Sequence, residues 1–443
     1  MRGIAIVGAG QAGLQLALGL LALGGYRVTV VSARTPEQLL AGPVLSTQAM
    51  FGPALRIERS AGLDLWAGAA PAVRDVDAVL VPEPGVRALE FTMTLDEPAQ
   101  SVDQRLKMAR WLELVAERGG RVEYRSLDRA GLRELAAANE LTVVAVGRGG
   151  LAGIFERDAA RSPFDAPQRT LAALYAHGVG APDPSAGPRA RMHAVPGVGE
   201  LYLQPALTLS GPCDILLWEA VPGSPFDCFA DRPDPDEQLR RMRESLRTYL
   251  PWEAELWEAA EPTDAGASLY GALTPEVRRP VARLDGGSGG SGGSGGGGAA
   301  AGGADGPAVL GIGDALVVND PITGQGANSA ARAAAAYLVA IVARRGEPFT
   351  TEWMHDTFER FWHRHARHTV EFTASMLTMP DHLQAVFGAA AEHPAVARRL
   401  ANTYAEPIDY AAWLASPELT EEYLATVRSA APGAGPVPDG PLP

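Results

Sequence analysis

The sequence predicts an α/β fold, and three observations carry that prediction. The opening run Gly3-Ile4-Ala5-Ile6-Val7 reads as a buried strand, the Ala- and Leu-rich stretch from Gln11 to Gly24 as a helix, and Arg27-Val28-Thr29-Val30-Val31 as a second buried strand. Together they make a βαβ unit, which implies a parallel sheet covered by helices. A further apolar run, Leu141 to Val146, is expected to return to this first sheet.

The 443 residues allow two or three packed units. With 47% of residues hydrophobic and 20% charged, the chain is too apolar to be disordered as a whole. A formal net charge of -14 repels nucleic acid and anionic membrane surfaces, so neither is expected as a partner. Met1 leads directly into the first strand, leaving no room for a signal peptide. The longest apolar runs, Leu14 to Leu23 and Ala333 to Ala343, are shorter than the roughly 20 residues that cross a bilayer. A cytoplasmic chain without a membrane span is therefore expected, with Cys213 and Cys228 as reduced thiols.

Helical spacing from Val102 to Arg118 stops at Gly119-Gly120. Between Gln168 and Ala220, short β-like runs such as Leu201-Tyr202-Leu203 and Ile215-Leu216-Leu217-Trp218 are separated by Gly and Pro, which predicts a mostly antiparallel sheet. The expected division is a discontinuous dinucleotide-binding domain at 1–165 and 268–345, a β-rich substrate domain at 166–267 and a helical region at 346–430. Residues 286–303 are almost all Gly, Ser and Ala and read as a flexible loop. This loop resembles an engineered Gly-Ser linker, and a natural glycine-rich insertion stays equally open. The Pro/Gly-rich C-terminal tail is expected to be disordered.

Gly8-Ala9-Gly10-Gln11-Ala12-Gly13 matches G-x-G-x-x-G between a strand and a helix. The first glycine allows the tight turn, the second lets backbone approach a pyrophosphate, and the third permits close helix packing. The acidic residue that normally meets the adenosine ribose after the second strand is missing; Ser32, Ala33 and Arg34 stand there. Ser32 is expected to bond the ribose and Arg34 to lie near the adenine or a phosphate, with a solvated loop charge as the alternative for Arg34.

The second constellation is Gly311-Ile312-Gly313-Asp314, followed by Asp320-Pro321-Ile322-Thr323-Gly324-Gln325-Gly326-Ala327-Asn328 at the mouth of a helix. Asp314 at a strand end is placed to accept ribityl or ribose hydroxyls. The N–H groups at the helix start, over Gly324, Gln325, Gly326, Ala327 and Asn328, are placed to stabilise negative charge on the N1/O2 edge of a flavin. Two distant segments then clamp one FAD. This G-D plus P-x-x-G-Q-G-x-N pair resembles the p-hydroxybenzoate-hydroxylase-like class of flavoprotein monooxygenases. In that class an arginine at the position of Arg105, in Val102-Asp103-Gln104-Arg105-Leu106, commonly contacts the cofactor; an exposed helix charge is the alternative. The Asp-Gly motif of members that take hydride from NAD(P)H is absent, because Val146-Gly147-Arg148-Gly149-Gly150 stands in its place, and there is no second G-x-G-x-x-G. This absence implies that a separate NAD(P)H-dependent flavin reductase delivers reduced FAD.

From the first strand to near residue 415 the chain resembles the styrene and indole monooxygenases, including Ser162-Pro163-Phe164, Pro167-Gln168-Arg169 and Pro196-Gly197-Val198-Gly199-Glu200-Leu201. Where styrene enzymes carry Asn, Val and His, this chain has Ser46, Gln48 and Met50, as the indole branch does; Val73, Val76 and Ala99 match further positions of that branch, Val76 standing where Ile is usual. The resemblance implies an FAD-dependent external monooxygenase. A flavin C4a-hydroperoxide, formed from FADH2 and O2, would epoxidise indole or a styrene-like aromatic alkene, the indole epoxide rearranging towards indoxyl and indigo. Pro321 and Ile322 would wall the flavin, and Leu45, Met50, Tyr202 and Leu203 would form an apolar slot for the small aromatic substrate.

Two other readings stay open: a flavin-dependent halogenase, which would need a substrate-side lysine and a W-x-W-x-I-P-like segment not found here, and a non-catalytic flavin-binding redox protein. His363, His365 and His368 have the wrong helical spacing for a metal site and read as a solvated basic face with Arg360, Arg364 and Arg367. Oligomeric state, a homodimer included, is left open.

Overall fold

The computed structural model describes residues 1–147, 149–284 and 306–429. Arg148, the Gly/Ser/Ala segment 286–303 and the Pro/Gly-rich tail from 430 lie outside the described residues. Strands are numbered along the chain.

The first sheet contains β1 (Arg2–Val7), β2 (Tyr26–Ser32), β5 (Arg121–Tyr124), β6 (Leu141–Val144), β14 (Val281–Arg283) and β15 (Ala308–Gly311), in the order β14-β15-β6-β1-β2-β5. All pairs are parallel except β14 with β15. The apolar, β-branched runs of β1 and β6 are buried, as a sheet covered by helices requires. The helix Gln11–Leu23 packs against the helices Gln104–Glu117 and Gln325–Ala343, and Leu16, Trp111 and Tyr337 enter one core with the strands. Gln325–Ala343 is long and apolar enough to cross a membrane by length and composition, which the shorter unbroken apolar runs did not suggest. Here Ala333, Ala334, Tyr337 and Ile341 are buried in the protein core, and the Tyr337 hydroxyl donates to the Gly311 carbonyl at 3.0 Å.

The second sheet contains β3 (Val73–Leu80), β4 (Leu89–Ala99), β7 (Thr170–His177), β8 (Arg189–Val195), β9 (Gly199–Thr208), β10 (Gly211–Ala220), β11 (Glu261–Pro262) and β12 (Ser268–Ala272). Its order is β11-β7-β10-β9-β8-β3-β4, and β12 also pairs with β7. The sheet is antiparallel as expected, apart from the parallel β3–β8 pair. Membership differs from the division read along the chain: β3 and β4 were expected in the first unit and so was β12, yet all three hydrogen-bond into the second sheet. The chain passes between the sheets more often than composition reveals, because strand pairing is a long-range choice. A two-stranded ladder of β13 (Glu276–Val277) and β16 (Val317–Val318) completes the strands.

Alternation decides what each face of the second sheet meets. Leu201, Leu203, Leu216 and Trp218 point into a core with Leu239, Met242 and Leu246 of the helix Pro235–Tyr249. That helix starts at Asp234, whose side chain accepts the Glu237 N–H at 2.9 Å, with Pro235 in its first turn. Leu203 was expected at a substrate slot beside Tyr202, but adjacent strand residues face opposite ways, and Leu203 belongs to this core.

The remainder is helical, as expected. Phe372, Met376, Leu383, Leu400 and Trp413 pack with Met93, Leu95 and Met192 of the second sheet. A π-helical turn, Trp362–Ala366, interrupts the run of helix, and Trp353, Phe358, Phe361 and Trp362 are buried in the first core. The basic face is only partly as read. Arg360, His363, Arg364 and Arg367 are exposed, whereas His368 is buried and His365 half-buried; burial pushes His365 down to about 4 and lowers His368 as well, which disfavours their charged forms.

Truncating Leu203 to Ala is expected to lower unfolding free energy by about 2–5 kcal/mol in urea titrations. It acts on the helix-covered face, so the affinity for a substrate on the opposite face should be unchanged.

Candidate active site

The carboxyl edge of the first sheet carries a cleft built from close backbone approaches. Gly8 has φ +113°, and a Cβ there would lie 2.6 Å from the Ala145 carbonyl oxygen. A Cβ on Gly13 would lie 2.3 Å from the Gly8 oxygen, while one on Gly10 would meet nothing within 4 Å. The first and third glycines thus serve the fold, and the second faces open space where a pyrophosphate can approach. The helix starting at Gln11 has no side-chain cap, which leaves its first N–H groups available to an anion. The Gln11 side chain is buried: its Nε2 donates to Gln15 and Glu58 at 2.8 Å each, and Glu58 pairs with Lys107. Ala12 is buried beside it.

The distant segments arrive at the same edge. Gly313, at φ +60°, would place a Cβ 3.1 Å from that of Ala12, and a Cβ on Gly147 would lie 2.6 Å from that of Asp314. Asp314 is exposed there. Gly324, at φ +65°, opens the helix Gln325–Ala343 without a side-chain cap, and Gly326 faces open space. The uncapped helix starts and the exposed carboxylate at the strand end are the donor and acceptor set that a flavin dinucleotide needs, so the residues fit FAD.

Several expected cofactor ligands have other partners. Ser32 closes a local turn, its hydroxyl donating to the Arg34 carbonyl at 2.6 Å, and Arg34 is exposed at the strand end. Gln325 Nε2 donates to the carbonyls of Thr323 and Tyr404 at 2.9 and 2.7 Å. Asn328 accepts the Phe51 N–H at 2.9 Å and donates to the carbonyls of Ala49 and Gly324. These side chains shape the loop, and the N–H groups at the start of the helix Gln325–Ala343 are left without a side-chain cap.

Arg105 is a correction. It is 1% exposed, and its guanidinium pairs with Asp103 at 2.8 Å and Asp264 at 2.9 Å and donates to the Gly42 carbonyl and Thr208 hydroxyl. It is neither an exposed helix charge nor free to contact a cofactor. A buried guanidinium must be paired, and the partner Asp264 is too far along the chain to be foreseen from sequence.

Against one face of the second sheet lies a cavity of about 120 Å³, closed by the 47–51 segment, the Pro321–Gly324 loop, Ala401 and Tyr404; Val73, Val76, Ala99, Tyr202, Pro321 and Ile322 are among its lining residues. Ser46, Gln48 and Met50 do not line it; their neighbours Thr47, Ala49 and Phe51 do. Residues alternate along 46–51, one triplet lining the cavity and the other turned away from it. Gln48 Nε2 donates to the Val102 carbonyl, Met50 packs with Ala54, Leu55 and Ala331, and the Ser46 carbonyl receives the Tyr175 hydroxyl at 2.9 Å. Leu45 likewise packs against the first core.

Residues that sequence reasoning missed include Met93 and Leu95 of β4, Met192 of β8, Leu217 of β10, Thr323 and Tyr404. The alternating Phe91, Met93 and Leu95 was the available signal for β4. The polar groups around the cavity are largely tied to protein. Tyr202 donates to the Ile322 carbonyl at 3.2 Å, burial pushing its phenol well above the ordinary range; Gln204 donates to the Gln48 carbonyl at 3.0 Å; Thr323 and Thr373 share a 2.7 Å bond. What faces the cavity is chiefly apolar, in a volume comparable to the roughly 150 Å³ aliphatic cavity that accepts benzene.

The family model for the styrene monooxygenase A substrate binding domain matches residues 147–255, the region that supplies Tyr202 and Leu217. Styrene monooxygenase StyA of Pseudomonas fluorescens is 31% identical over 338 residues, 75% of each chain, and its counterpart in a Pseudomonas sp is 31% identical over 345 residues with the same coverage. The chain belongs to the styrene monooxygenase family. It is accordingly a flavin-dependent monooxygenase. Among solved structures, the flavin-dependent brominase Bmp2 aligns at TM-score 0.65 and 14% identity, covering 96% of this chain and 99% of that one. The p-nitrophenol 4-monooxygenase PnpA of Pseudomonas putida DLL-E4 aligns at 0.61 and 15%, covering 92% and 99%. These likenesses show the fold, that of the p-hydroxybenzoate-hydroxylase type.

Substituting Gly10 by Val is expected to leave the melting temperature of the flavin-free protein within a few degrees of the parent while abolishing FAD binding by fluorescence titration. Gly13→Val, which must displace the Gly8 backbone, is expected to prevent folding, as circular dichroism would report.

Proposed function

We propose that this family member is the oxygenase of a two-component system that epoxidises an aromatic alkene, indole first and styrene-like compounds second, with reduced FAD supplied by a separate NAD(P)H-dependent flavin reductase. One observation carries the reading: the apolar cavity and the flavin cleft share the segment Asp320–Asn328, whose Pro321 and Ile322 wall the cavity while its Gly324 opens the helix towards the flavin. A substrate in the cavity is thereby held against the flavin. Bound reduced FAD supplies the electrons and the oxygen-activating carbon, with O2 as co-substrate. The protein's own residues orient and desolvate. Phe51, Val76 and Leu217 offer apolar contact to a planar ring and exclude water, and the Gly324–Ala327 N–H groups hold negative charge on the flavin edge.

The indole preference rests on the likeness at Ser46, Gln48 and Met50. In this structure they back the cavity wall and act through the positions of Thr47, Ala49 and Phe51. The absence of an Asp-Gly motif supports delivery of flavin already reduced. A cytoplasmic site, with Cys213 and Cys228 as unpaired thiols, agrees with that supply.

Purified protein given FADH2, O2 and indole is expected to yield the epoxide-derived indoxyl and indigo, and styrene a chiral epoxide, by chromatography. If neither substrate is oxygenated, the assignment fails. Ala49→Trp, which fills the cavity, is expected to lower product per reduced flavin at least tenfold while oxygen uptake continues.

A further inference from the structure

Behind the cavity wall lies a cluster of three carboxyls and one guanidinium. Glu219 on β10 stands directly opposite Glu200 on β9. Glu200 takes Arg169 in a two-pronged ion pair at 2.7 and 2.9 Å, which commits the guanidinium. Glu219 and Asp320 are both 0% exposed. Asp320 Oδ1 accepts the Ile322 N–H at 3.1 Å. Its Oδ2 and both oxygens of Glu219 find no donor among the described residues; Glu219 follows Leu217 on the same face of β10, Leu217 lines the cavity with Pro321 and Ile322, and the Glu219 and Asp320 carboxyls are neighbours there. Two ionised carboxylates are acceptors only, so such a contact is a bond only when one of them carries a proton. Left ionised, the pair would bury two charges of like sign with one guanidinium already taken, an arrangement proteins avoid.

Resting on the flavin-site reading above, we propose that Glu219 and Asp320 share one proton, and that this acid pair is a positioning device that ties β10 to the loop carrying Pro321 and Ile322. Asp320 caps the short turn Pro321–Thr323, Tyr202 of β9 holds the Ile322 carbonyl, and Gly324 follows as the first residue before the flavin-facing helix. Losing the proton puts two carboxylates in contact, and their repulsion displaces the loop from the sheet. The cavity wall and the helix start move together, so substrate and flavin sites loosen as one.

Burial pushes Asp320 up to about 6 and Glu219 well above the carboxylate range. The charged and titratable groups around the pair are Glu200, which reinforces the rise, Arg169, which opposes it, and the buried phenols of Tyr202 and Tyr404. For acids raised on folding, the stabilising neutral form is fully present below the unfolded-state pKa and is lost as pH rises through the folded one. The device therefore holds at mildly acidic to neutral pH and releases on the alkaline side.

The test uses the full chain from pH 5 to pH 9, with oxidised FAD binding by fluorescence, melting temperature, and infrared difference spectra read in parallel. Wild type is expected to bind FAD at least tenfold more weakly at the alkaline end, with a protonated-carboxyl band that disappears over the same range. Glu219→Gln supplies a permanent amide donor and should remove both that band and the pH dependence. Glu219→Ala should bind weakly at every pH. A Glu219→Gln protein that follows the wild-type profile, or a wild type with no such band, overturns the proposal. The infrared and melting arms need neither turnover nor bound flavin, so a failure to epoxidise would count against the function reading alone.

Discussion

The placement of the site depends on a guanidinium buried between the two sheets. Arg105 at the start of the helix Gln104–Glu117 meets Asp103, which is 0% exposed, and also reaches Asp264 before β12, the Gly42 carbonyl ahead of the cavity-lining segment, and Thr208 at the end of β9. Backbone bonds run beside it, from Asp103 N–H to the Leu207 carbonyl at 2.8 Å and from Leu207 N–H to that of Ser101 at 3.0 Å. A pair of this kind is weak evidence for net stability, but it is directional, and leaving one partner unpaired costs about 3–5 kcal/mol. Its effect is to hold the helix Gln104–Glu117 against the end of β9, an interior strand of the second sheet.

With that position set, the two halves of the site meet along one short segment. Asp320–Asn328 borders the cavity through Pro321 and Ile322 and carries, after Gly324, the uncapped start of the helix Gln325–Ala343. It is anchored on both sides: Asn328 bonds Phe51 and Ala49, Gln325 bonds the Tyr404 carbonyl, and Tyr202 holds Ile322. A chemistry supplied by the cofactor needs little from side chains except alignment and dryness, and the bonds in this segment deliver the alignment.

The parts of the site legible in sequence are those in which local backbone geometry constrains residue type. Gly8, Gly13, Gly147 and Gly313 sit where a Cβ would collide or come unusually close, and Gly10 and Gly326 where a ligand needs room. The parts that were misread concern facing. Reading Ser46, Gln48 and Met50 into the cavity required knowing which side of an extended segment met the second sheet, and a shift of one residue reverses every side chain. Leu203 and Tyr202 show the same inversion on β9. The partners of Arg105 and Ser32, Asp264 in one case and a local turn in the other, are invisible in a motif.

From the sequence alone follow the α/β class and the strand-turn-helix glycines, because these are written in local spacing and in the steric demands of single positions; the flavin reading followed from the second loop's likeness to a known class of flavoproteins. Tertiary structure decided the rest. It assigned β3, β4 and β12 to the second sheet, turned Thr47, Ala49 and Phe51 into the cavity, and brought Glu219 against Asp320. Each of these is set by pairing and burial between residues distant along the chain, which no local pattern encodes.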